Sequence, residues 1–140
     1  MSPVEPAAAG RVMRRFRRPR LWLSAWLALF VLIAAGSLMS ADKLPPVDLD
    51  GFDKLQHFVG YAALSVGAVM LFARLRIQAL AALAIIGFGI GIEFAQTSLT
   101  VDRMGDAADV LANTLGVLAG LLLSATPVAR WLQRLDARLP

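Results

Sequence analysis

Cysteine is absent from this sequence, which excludes a disulfide framework and any thiol chemistry. Histidine occurs once, at His57, so neither a multi-histidine metal site nor a two-histidine phosphatase site can be built. The serines, Ser40, Ser65, Ser98 and Ser124 among them, show no Ser/His/Asp grouping. The glycine-rich stretch Gly87-Phe88-Gly89-Ile90-Gly91 lacks the strand-turn-helix context of a dinucleotide fingerprint. Charge is scarce, at 17% of residues, and it is clustered. No long soluble domain interrupts the chain and no internal repeat is evident. A carboxylate-plus-histidine metal site stays open but has no recognisable ligand spacing, and the sequence assigns neither a metal nor a cofactor.

Apolar residues are what the chain has in abundance. They make up 58% of its 140 residues, and the mean hydropathy is +0.65. An ordinary soluble domain is about 45–50% apolar. The net charge of +4 does not point to nucleic acid. Six arginines, Arg11, Arg14, Arg15, Arg17, Arg18 and Arg20, directly precede a long apolar run, and no aromatic-interleaved reading motif follows. A basic block in that place reads as a cytoplasmic anchor facing anionic lipid heads.

Four apolar segments follow. Leu21 to Met39 carries no charge and is long enough to cross a hydrocarbon core of about 30 Å. A cleaved signal peptide is the competing reading. Such h-regions run only about 7–15 residues, and the small-residue site near Ser40 is poor, so a retained span is favoured. The second apolar run is Phe58 to Phe72, its helix starting near Lys54 with Asp53 as cap. The third is Ile77 to Ala95 and the fourth about Ala107 to Thr126. The expected fold is all-α: an integral membrane four-helix bundle with helices at about 21–40, 54–73, 77–96 and 106–126. Residues 1–20 form a basic cytoplasmic arm, 21–126 the membrane domain and 127–140 a cytoplasmic tail. The tail from Trp131 to Leu139 reads as either a short interfacial helix or a partly ordered end.

The arm, the Arg74/Arg76 turn and the tail (Arg130, Arg134, Arg138) carry eleven basic residues. The opposite loops and flanks carry three: Lys43, Lys54 and Arg103. The positive-inside rule then places both termini in the cytoplasm, and Trp22 and Trp131 in a cytoplasmic interfacial belt.

With that orientation the remaining polar residues share the outer end. Asp53, His57 and Tyr61 are spaced by four and stack on one helix face. Glu93 and Gln96 are three apart, and Asp106, Asp109 and Asn113 follow at three and four. Ionised carboxylates at membrane depth need partners, so these stripes should face the bundle interior or a wet cleft. Gly87 with Gly91, and Gly116 with Gly120, give small-residue spacings at which membrane helices approach closely. Lys54, His57 and Arg103 beside two outward helix N-termini suit a phosphate or carboxylate. The competing reading is a balanced ion-pair network, for example Arg103 with Asp109 or Glu93.

The segment Asp53-Lys54-Leu55-Gln56-His57-Phe58-Val59-Gly60-Tyr61 resembles the opening signature of the VanZ-like membrane proteins. Glu93-Phe94-Ala95-Gln96 resembles their second signature. Arg103, with Asp109, Asn113 and Gly116, resembles the third. The three occur in the family's order over roughly residues 53–120. The resemblance implies a protein of the bacterial cytoplasmic membrane. The family's namesake is associated with resistance to teicoplanin, a glycopeptide acting outside that membrane.

Three function classes follow. The first is an envelope protein whose outer site handles a lipid-linked or anionic cell-wall component. As an enzyme it would use His57, Glu93 and Asp109 as acid or base, with Asp53, Lys54, Tyr61, Gln96, Arg103, Asp106 and Asn113 in binding. The second is a non-catalytic scaffold or regulator of envelope enzymes. The third is a small oligomeric transporter, which the one-ended placement of the acids disfavours. The expected partner is membrane lipid, not nucleic acid, and nothing fixes the oligomeric state.

Overall fold

In the computed structural model the chain is helical, and the structure describes residues 11–39, 51–100 and 105–140. The elements are α1 (Pro19–Leu38), α2 (Phe52–Leu71), α3 (Leu75–Leu99), α4 (Ala107–Leu122) and α5 (Trp131–Arg138). Two short 3-10 turns, Leu123–Ala125 and Pro127–Arg130, join α4 to α5. Five α-helices are thus described where four were expected, the fifth being the tail. Three segments are long and apolar enough to cross a membrane: α1, α3 and Ala107–Ala125. α2 falls outside that set because Asp53, Lys54, Gln56 and His57 occupy its first two turns.

The helix ends have local causes. α1 starts at Pro19, whose fixed φ and missing N–H suit a first turn. Asp53 does not cap α2, contrary to expectation. Gly51 stands at the N-cap with φ 78°, a left-handed conformation that glycine adopts without steric cost. Asp53 falls in the first turn, where its charge complements the helix's positive end. Asp106 does cap α4, accepting from the Ala108 N–H at 2.8 Å.

α2 and α4 form the tightest pair. A Cβ on Gly116 would run into the Phe58 carbonyl oxygen, and one on Gly120 would lie 2.6 Å from Ser65 Cβ. Ser65 Oγ donates to the Val117 carbonyl across this contact at 2.7 Å. Small residues let the two backbones meet, so dispersion and a hydrogen bond replace the hydrophobic drive that lipid removes. On α3 the expected close approach at Gly87 and Gly91 is not found: a Cβ at either would meet nothing within 4 Å. Gly89 is the packed position, 2.9 Å from Tyr61 Cε1 and 3.2 Å from Asn113 Nδ2 by the same measure. Gly89 lies four residues before Glu93 and shares its inward face, while Gly87 and Gly91 are turned away.

Tyr61, Leu64, Ala68, Ala82, Ile85 and Val117 make the core. α1 buries no residue fully but lays Trp26, Leu29, Phe30 and Ile33 against it. Trp26 Nε1 donates to the Leu64 carbonyl at 2.9 Å. Its ring meets Phe30 edge-on at 5.0 Å, and Phe30 meets Phe88 at 5.1 Å.

The basic segments gather at one end. The Arg14 N–H donates to the Leu71 carbonyl at 2.8 Å, and the Ala73 N–H to that of Val12 at 2.9 Å. The tail is a formed helix docked on the arm. Asp136 accepts from Trp22 Nε1 at 2.8 Å and from the Arg17 N–H, and Gln133 Nε2 donates to the Arg15 carbonyl at 3.1 Å. Burial opposes ionisation of Asp136. The Trp22 bond, the Arg17 and Arg18 N–H groups and the Arg18 charge outweigh it and hold the carboxyl below its usual range.

Candidate functional site

The first turns of α2 and α4 and the last turns of α3 meet at the opposite end. The α2–α4 glycine contact sets this meeting. With Gly116 against Phe58, Asn113, one turn before Gly116, comes beside His57, the residue before Phe58. His57 Nδ1 lies 3.0 Å from Asn113 Oδ1 and 3.9 Å from Glu93 Oε1. Its Nε2 lies 3.6 Å from Asp109 Oδ2 and 3.7 Å from Asp53 Oδ1. The site is interior: Asn113 is 1% exposed, Asp109 5% and Glu93 6%.

Lys54 ties the rim together. Its ammonium reaches Asp109 Oδ1 at 2.5 Å, Asp106 Oδ2 at 2.8 Å and Asp53 Oδ2 at 3.4 Å. The Lys54 hydrogen bond is the main cause that lowers the Asp106 pKa, with the Ala108 N–H second. Glu93 is held from the other side, where its Oε2 accepts from the Asp106 N–H at 3.0 Å. That bond needs the chain after α3 to fold back closely. Gly105 donates its N–H to Thr97 Oγ1 at 2.9 Å, and a Cβ there would strike the Glu93 carbonyl oxygen.

Eight of the ten expected chemical residues therefore converge: His57, Glu93, Asp109, Asn113, Asp53, Lys54, Asp106 and Tyr61. Tyr61 stands on the inner side of the cluster, 1% exposed, with no hydrogen bond on its hydroxyl among the described residues. Gln96 serves elsewhere, its amide donating to the Ser37 carbonyl at 2.8 Å and tying α3 to α1. Arg103 lies outside the described residues. The helix N-termini offered to an anion already face the chain's own acids, Asp106 at the α4 cap and Asp53 and Asp109 in the first turns. Among the described residues, Asp53, His57 and Asp109 are the group whose donor atoms, all within 4.8 Å of one another, could hold a metal.

A cavity of about 190 Å³ opens beside the cluster, between α1 and α2. Ile33, Gly36 and Ser37 line its α1 side, and Gln56 and Gly60 join Asp53, His57 and Tyr61 on the α2 side. Sequence reasoning did not foresee this cavity, nor the inward placing of Gly89 and Ser65. Counting back four from Glu93 marks Gly89. Ser65 lies on the Asp53, His57, Tyr61 face, four residues beyond Tyr61.

No curated protein and no solved structure matches the chain. The VanZ/LLP1 family model matches residues 11–128. The match takes in the basic arm and α1 as well as the three polar signatures, and stops short of α5. The chain belongs to the VanZ/LLP1 family.

Proposed function

We propose that this protein crosses the bacterial cytoplasmic membrane four times, with both termini inside. In this reading the acidic end faces outward and binds the head of a lipid-linked envelope component. Three spans qualify on hydropathy, and α2 makes the fourth because Lys54 and His57 of its polar turns engage α4 while Asp53 and Gln56 line the cavity beside α1. The joining of the basic arm, the α2–α3 turn and the tail at one end supports an even number of crossings.

The observation that carries the binding reading is the convergence of His57, Glu93, Asp109 and Asn113 from three helices beside a cavity between α1 and α2. Buried ionisable groups in a membrane protein are costly, and function is the usual reason for them. The cavity is apolar at Ile33 and polar at Asp53 and His57, which suits a ligand with a lipid tail and a polar head.

The test is mild extraction followed by mass spectrometry of retained lipids. One polyprenyl-linked or glycan-linked species, lost in His57→Gln and Asp109→Asn, is the expected result. Bulk phospholipid alone, unchanged in the variants, overturns the reading. In cells, a teicoplanin susceptibility that shifts on expression of the chain, but not of those variants, would extend the family association to this member.

A further inference from the structure

We infer that Asp53, His57 and Asp109 bind a divalent metal ion of the zinc type at the acidic end. The inference rests on the reading of this cluster as a ligand site and names part of what it binds.

Asn113 sets its side-chain oxygen 3.0 Å from His57 Nδ1, where it can accept from an Nδ1–H, and Nε2 is the ring nitrogen turned to the carboxylates. The His57 side chain is only 9% exposed, and among the described residues Nε2 makes no hydrogen bond. It nevertheless faces two carboxylate oxygens, Asp109 Oδ2 at 3.6 Å and Asp53 Oδ1 at 3.7 Å. A proton on Nε2 would meet both oxygens at distances beyond a normal hydrogen bond, whereas a metal ion among the three atoms would meet all of them. Atoms about 2.0–2.2 Å from one zinc ion at tetrahedral angles lie about 3.4 Å apart, close to the two spacings from Nε2, and all three donor atoms lie within 4.8 Å of one another.

Lys54 does not fill this place. It takes Asp109 Oδ1 and Asp53 Oδ2, which leaves the other oxygen of each carboxylate turned to the imidazole. Each carboxylate is thereby fixed by lysine on one side and free to ligate on the other. Asn113 does the same for the ring, its oxygen placed to orient Nδ1 as the outer shell of a metal-bound histidine does. Four acids surround the site, Asp53, Glu93, Asp106 and Asp109, and Lys54 is the one permanent cation among the described residues there. A divalent ion reduces that excess negative charge. It also leaves positions open for the oxygens of an incoming phosphate or hydroxyl group, which the bare cluster would repel or ignore.

The full-length protein in detergent, chelator-treated and then freed of chelator, is labelled with 15N-histidine. His57 is the only histidine, so one imidazole gives all the signal. Zinc chloride is added at fixed pH. The expected result is one ion bound per chain, a shift of the Nε2 resonance, and a proton retained on Nδ1. Asp109→Asn should weaken binding beyond the ~10–100-fold typical of outer-shell changes. Asp53→Asn should do the same, and because Asp53 is an exposed first-turn residue this variant keeps the fold, which circular dichroism checks. Asp136→Asn, at the other end, should bind as the parent does. The inference is overturned by any one of three results: no stoichiometric binding, binding unchanged in both ligand variants, or an Nε2 that is protonated and insensitive to zinc. A specific retained lipid in the mass spectra with no zinc binding removes the metal alone and leaves the ligand site standing.

Discussion

Lys54 is the residue on which the acidic end turns. Its ammonium meets carboxylates from α2 and from both the cap and the first turn of α4. Removing it strands Asp109, 5% exposed, beside Glu93 with no permanent cation among the described residues. Lys54→Met should therefore lower the thermal midpoint of the purified protein by several degrees, and Asp53→Asn by much less, since Asp53 is the most exposed partner. Equal midpoints for the two variants would show that the network contributes nothing to stability. Periodicity alone predicts the 53, 57, 61 stripe. Which polar residues leave the site is not local information. Gln96 is one turn from Glu93, yet its amide reaches α1 because Ser37 happens to end opposite it.

Glycines act at the scale of helix pairs. Gly116→Ala forces a Cβ into the Phe58 carbonyl, a backbone atom that cannot rotate away. Overpacking of this kind costs about 1–3 kcal/mol. Gly87→Ala meets open space and should be neutral, or stabilising by up to about 1 kcal/mol through helix propensity. Unfolding in mixed micelles compares them, and equal losses at both positions would contradict the α2–α4 contact. α5 is a second element with its own prediction. The Asp136 carboxyl titrates below its ordinary value of 3.8 when docked, so its charged form holds the helix to Trp22. The tie is complete above 3.8 and is lost as pH falls through the lower folded value. The Trp22 indole N–H resonance should move across that window, and Asp136→Asn should show the released position already at neutral pH.

For the whole molecule, the absence of cysteine becomes an experimental tool. Ala107→Cys and Ala137→Cys place single thiols at exposed positions on the acidic and basic ends. In intact cells an impermeant maleimide should label the first, and the second only after permeabilisation. Labelling of both from outside, or the reverse pattern, would contradict four crossings with inside termini. The charge asymmetry behind this expectation is legible without coordinates, since eleven of fourteen basic residues fall in the arm, the α2–α3 turn and the tail, which four crossings put on one side.

The sequence by itself determined the helical class, the membrane character, the family and the three stripes that carry the acidic end. The family follows from the three polar signatures, and the rest from composition or a 3.6-residue period, which are properties of the chain taken one segment at a time. Tertiary structure decided how those stripes are phased against one another. It selected Gly89 over Gly87 and Gly91, docked α5 on the arm through Asp136, and split each of two carboxylates between Lys54 and His57. The reason is that helix rotation is fixed only when all neighbouring faces pack at once. A residue's periodicity shows which others share its face, and only the packed bundle shows what that face meets.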